Sequence, residues 1–154
     1  MNLIPLLVFL HLIGVTIWVG GMFFAYVCLR PVAAAQLQPP QRLALWAAVF
    51  ARFFAWVWLA VILLPLSGFG VIALVGWGSV PLHWHVMMTL GLIMMMIFGH
   101  IYFASYPRLC QGVAATDWSK AGAALNQIRK MVGINLALGL TTITVATLGT
   151  YFRH

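Results

Sequence analysis

Acidic side chains are almost missing: Asp117 is the only Asp or Glu in 154 residues. A pair of carboxylates for general acid–base work is therefore excluded. Cysteine is scarce as well. Cys28 and Cys110 stand far apart with no Cys-x-x-Cys pair, so neither a thiolate metal site nor a dithiol redox motif is written locally. No Gly-x-x-x-x-Gly-Lys run occurs, which removes the phosphate loop. Charged residues make up 6% of the chain, against about 25% in soluble domains. What fills the space is apolar: 64% of residues are hydrophobic, with seven Trp, ten Phe and four Tyr. Such an aromatic load suits a protein with two membrane–water interfaces to line. The composition describes an integral membrane protein with almost no soluble part.

A membrane-spanning helix needs about 20 predominantly apolar residues. Four segments qualify, at about 3–29, 53–75, 82–106 and 131–151. The expected architecture is all-α, a four-transmembrane-helix bundle forming a single membrane domain over 1–154. Arg30-Pro31 and Pro107-Arg108 are expected to end the first and third spans. Connections 30–52 and 107–130 follow, the first with a turn at Gln38-Pro39-Pro40 and then an apolar-aromatic helix from Leu43. That helix either lies at the interface or extends the second span. The second connection reads as an amphipathic helix leading into the last span.

The charge of +7 sits at the ends of these runs, so it reads as topology and lipid contact rather than nucleic-acid binding. Arg30, Arg42, Arg52, Arg108, Lys120, Arg129 and Lys130 all fall in the two long connections, and only Arg153 falls on the other side. The positive-inside rule makes those connections cytoplasmic and both termini periplasmic, as for a multi-pass protein of a bacterial inner membrane. The first span lacks a basic leader and is too long for a signal peptide, so it is expected to stay uncleaved.

Ionisable groups within spans are rare and tend to be functional, which singles out His11. His83 and His85 begin the third span beside Trp84, just before Met87 and Met88. His100 lies about 22 Å further along that helix than His85. Two imidazoles from two helices suit the axial positions of a b-type haem. The same imidazoles with Met87 or Met88 suit copper, because thioethers select Cu(I). Gly14 and Trp18 follow His11 by three and seven residues and so share its helix face, where a small residue admits a neighbouring helix or a flat cofactor. Plain packing roles for every one of these side chains remain the alternative.

The stretch from His11 through Gly14 and Trp18 to Gly20-Gly21 resembles the first-helix signature of CopD-like membrane proteins, the copper resistance protein D domain. Leu29-Arg30-Pro31-Val32, Arg52-Phe53-Phe54, Ser67-Gly68 and the run from Ile128 to Gly139 are similar to the same family. More distantly, the helical core resembles the HemJ-type protoporphyrinogen oxidases, a likeness that implies haem b held by His11. HemJ proteins carry a lysine two positions after a histidine early in the third span. Here Met87 stands there, and no lysine lies in any span, so the likeness implies a haem site rather than that oxidase activity.

The expectation that follows is a histidine-ligated redox protein with haem b near the periplasmic face. Its ligands would be His11 with His85, or with His83 or His100, and its partner an electron donor or acceptor. If it is an enzyme, it is a haem-dependent oxidoreductase. The alternative is a copper-binding or copper-uptake protein that meets a periplasmic copper protein. Either reading leaves room for a homo-oligomer in the bilayer.

Overall fold

The computed structural model describes residues 3–150, all helices and turns. Four helices are long and apolar enough to cross a bilayer: α1 (Ile4–Gln36), α2 (Pro39–Val75), α3 (Leu82–Ala114) and α4 (Trp118–Leu148). The expected end of the last span at Tyr151, and Arg153 and His154 beyond it, lie outside the described residues.

Two of the helices run past prolines that were expected to stop them. A proline ring clashes with the carbonyl four residues back when the turn is α-helical. In α1 a wide π turn at Phe24–Leu29 comes directly before Arg30-Pro31, and in α3 another at Ile101–Ser105 comes directly before Tyr106-Pro107. The wider turn moves the offending carbonyl out of line, so each helix continues for about two more turns.

The connections shrink accordingly. Between α1 and α2 only Leu37 and Gln38 are non-helical, and Gln38 forms a capping box with Gln41. The aromatic stretch from Leu43 extends α2, burying Leu43, Trp46, Phe50, Phe54 and Val57 on one helical face. Likewise the expected amphipathic lead-in is the first half of α4, with Ala121, Ala124 and Ile128 buried and Lys120, Arg129 and Lys130 exposed. A Gly76 φ of 83° closes α2, and a 3-10 turn at Trp77–Ser79 leads to α3.

Asp117, the sole acid, caps α4: its side chain accepts from the Lys120 backbone N–H at 3.0 Å. Losing an N-cap carboxylate costs about 1 kcal/mol. Asp117→Ala is therefore expected to lower the thermal midpoint measured by circular dichroism in detergent, without altering the site at the far end of α4.

α1 packs chiefly along α2, and α3 chiefly along α4. The middle of the bundle is aromatic. Phe50 stacks on Phe54 at 5.1 Å between centroids, Phe54 meets Phe98 edge-on at 5.6 Å, and Trp58 meets Phe98 at 5.4 Å. The outward faces carry large apolar side chains such as Leu6, Phe9, Leu12, Phe24 and Met96, the surface that a bilayer covers. The chain starts α1 and ends α2 at one end of the bundle, where His11 meets Ser67. The start of α3 and the end of α4 meet there too, at His83 and Gly149. Arg30, Arg42 and Arg129 converge at the opposite, basic end.

Candidate functional site

At the His11 end all four helices line a half-open cavity of about 290 Å³. His11 and Trp18 line it from α1, Ser67 from α2, and Met87, Met88, Met94 and Met95 from α3.

The chemistry begins at Ser67. A hydroxyl has one proton, and that of Ser67 is given back to its own helix, to the Leu63 carbonyl at 2.5 Å with the Leu64 carbonyl at 3.1 Å. These carbonyls sit beside Pro65, whose missing N–H loosens the local ladder. Ser67 Oγ can then only accept from His11, whose Nδ1 lies 2.9 Å away. In the Nδ1–H tautomer that satisfies this bond, Nε2 keeps its lone pair. Ligating histidines are oriented in this way, by a bond at the ring nitrogen that does not bind the metal. The ring also lies against Gly68: a Cβ added there would meet His11 Cε1 at 3.5 Å, an ordinary contact.

Trp18 closes the cavity toward the bundle centre. It is 2% exposed and meets Phe98 edge-on at 6.1 Å, which ties it to the aromatic core. The methionines share one face of α3. With about 100° between successive residues, Met87, Met88, Met94 and Met95 all fall within about 60° of Gly91, which also lines the cavity.

The other expected ligands are not brought to His11. His85 lies about 120° and His100 about 180° around α3 from Gly91, and both side chains are exposed. His100 Nε2 accepts instead from the Gln127 amide at 3.3 Å on α4. His83 packs on the end of α4 at Gly149 and edge-on to Trp84 at 6.4 Å, at the right end of the bundle but outside the cavity lining. Gly14 is a packing glycine: a Cβ there would stand 3.0 Å from Leu64 Cγ, so its smallness brings α1 onto α2. Depth along the helix was legible in sequence, but direction around it decides ligation. Among the described residues the paired imidazoles that a six-coordinate haem requires are thus not brought together, and the haem reading loses its second ligand.

What remains is a donor set of one imidazole and several thioethers. Among the described residues no three His, Cys, Asp or Glu side chains come together, so a closed site of the zinc type is not formed. Met94, Met95 and Ser67 went unrecognised as site residues in the sequence, although the recurrence of Met at 87, 88, 94 and 95 is the helical-face signal that marks them.

Fold and site together describe a multi-pass membrane protein with a soft-donor cavity at one end of a four-helix bundle. The family model for CopD, copper resistance protein D, matches residues 47–148. That is roughly two thirds of the chain, and the protein belongs to this family. The match takes in Ser67, the α3 methionines and α4, and begins after α1, so His11 precedes it. No curated protein and no solved structure matches the chain. The likeness to HemJ-type proteins is not shown by these comparisons.

Proposed function

We propose that this CopD-family chain handles copper, taking Cu(I) into the cavity at the His11 end as cargo. The observation that carries the reading is the Ser67–His11 bond, which leaves the His11 Nε2 lone pair as a donor in a space walled by four methionines. Thioethers favour Cu(I), and imidazole accepts either copper state. Family membership points the same way. With both termini periplasmic in a bacterial inner membrane, as the distribution of basic residues favours, the cavity faces the periplasm and receives copper from a periplasmic copper-carrying protein.

The test is a Cu(I) titration of detergent-purified full chain against a chromogenic chelator, followed alongside by the optical spectrum. One Cu(I) per chain and no Soret band support the proposal. A Soret band with no competition for Cu(I) would return the haem reading to first place. Ser67→Ala sharpens the test. Removing the partner that orients a ligating imidazole typically lowers metal affinity about 10- to 100-fold. Ser67→Ala is expected to weaken Cu(I) binding within that range while the helical circular dichroism stays unchanged.

A further inference from the structure

We propose that a second cavity, at the basic end of the bundle, binds a phosphate group, presented by an anionic lipid headgroup or as free phosphate. This cavity of about 330 Å³ brings together arginines from three helices: Arg30 of α1, Arg42 of α2 and Arg129 of α4. Topology alone explains basic residues at a helix end, but it does not explain three arginines from three helices lining one cavity.

No carboxylate lines that cavity. Asp117 is the only acid in the sequence, and its carboxylate is engaged at the α4 N-terminus. The contacts that the arginines do make are neutral. Arg30 lies over the Tyr26 ring, 4.9 Å from its centroid, and Arg129 Nη2 donates to Asn126 Oδ1 at 2.7 Å. Both contacts hold a guanidinium in place without neutralising it. Three like charges held together call for an anion from outside the chain. The planar guanidinium fork pairs with the oxygens of a phosphate two at a time.

The rest of the lining points to where the anion comes from. Trp118, Leu125 and Val132 are at least partly exposed and form an apolar wall beside the arginines. A lipid phosphate would lay its glycerol and first methylenes on that wall, whereas free phosphate would leave it to water. Basic pockets between transmembrane helices are known to take anionic headgroups in this manner.

The experiment is native mass spectrometry of the full chain in detergent, with short-chain phosphatidylglycerol, short-chain phosphatidylcholine or inorganic phosphate added. Retention of one phosphatidylglycerol per chain is expected, with phosphatidylcholine held about tenfold more weakly. The double variant Arg42→Gln/Arg129→Gln should weaken that retention about tenfold or more. Arg52→Gln/Arg108→Gln removes the same charge from exposed positions outside the cavity and should change it by less than about twofold. Displacement of the lipid by equimolar inorganic phosphate identifies a free anion as the ligand, and resistance to displacement identifies the headgroup. Should the glutamine pair not fold, Arg42→Lys/Arg129→Lys keeps the charge but loses the fork, and a loss of about threefold or more is expected. Equal weakening by the cavity pair and the outer pair, unchanged retention in the lysine pair, or no adduct with either anion would overturn the proposal.

Discussion

His11→Ala is expected to lower Cu(I) affinity by more than about 100-fold, beyond the loss expected from removing an orienting partner alone. Among the described residues His11 is the one imidazole lining the cavity, and the methionine thioethers are the soft donors left when it goes. The fold survives the change. The His11–Ser67 hydrogen bond is worth about 1 kcal/mol, and Ser67 keeps its own donation to the Leu63 carbonyl. Chelator competition reads the affinity, and circular dichroism on the same sample reads the fold. His85→Ala is the matched control. Its ring is exposed on the outer face of α3, and its backbone carbonyl, which accepts from Thr89, is untouched by the substitution. Cu(I) affinity should therefore stay within about twofold of the parent chain.

Gly112→Val has the largest expected effect on stability. Gly112 is buried where the end of α3 folds back onto the start of α4, and a Cβ there would meet Ala121 N at 2.7 Å and Ala121 Cα at 2.9 Å. Those are backbone atoms, so no rotamer change relieves the clash. The Gly112 carbonyl also accepts from the Asp117 N–H at 2.9 Å, which ties the turn to the α4 cap. Forcing the helices apart breaks both packing and cap, and a loss of about 3 kcal/mol or more is expected. Gly20→Ala supplies the contrast, because nothing lies within 4 Å of the added Cβ. A mid-helix Gly→Ala change of this kind gains up to about 1 kcal/mol. Thermal unfolding in detergent should separate the two variants widely.

The apolar runs made the four spans legible, since no other element buries a backbone for that length in lipid. His11, Trp18, Met87 and Met88, singled out in the sequence, all line the cavity at one end of the bundle. The helix extents were not legible. Pro31 and Pro107 are helix breakers in an α-helical frame, and π turns that no local motif announces stand directly ahead of both where the helices continue. His85 misled through depth: it lies at the right end of α3 but points away from the cavity that Met87, Met88, Met94 and Met95 face. Ser67 entered the sequence reading through the family resemblance; its back-bond to the Leu63 carbonyl, common for a helical hydroxyl, leaves an acceptor for His11 across the helix interface. Arg30, Arg42 and Arg129 read as topology signals because their convergence depends on three helices meeting.

The central claim is that His11 and the α3 methionines form one soft site. X-ray absorption at the copper edge, on full chain loaded with one equivalent of Cu(I) in detergent, tests it most directly. The account predicts a mixed first shell of nitrogen and thioether sulfur, with the nitrogen contribution lost in His11→Ala. A shell of nitrogen and oxygen only, or one that is the same in His11→Ala, would contradict it.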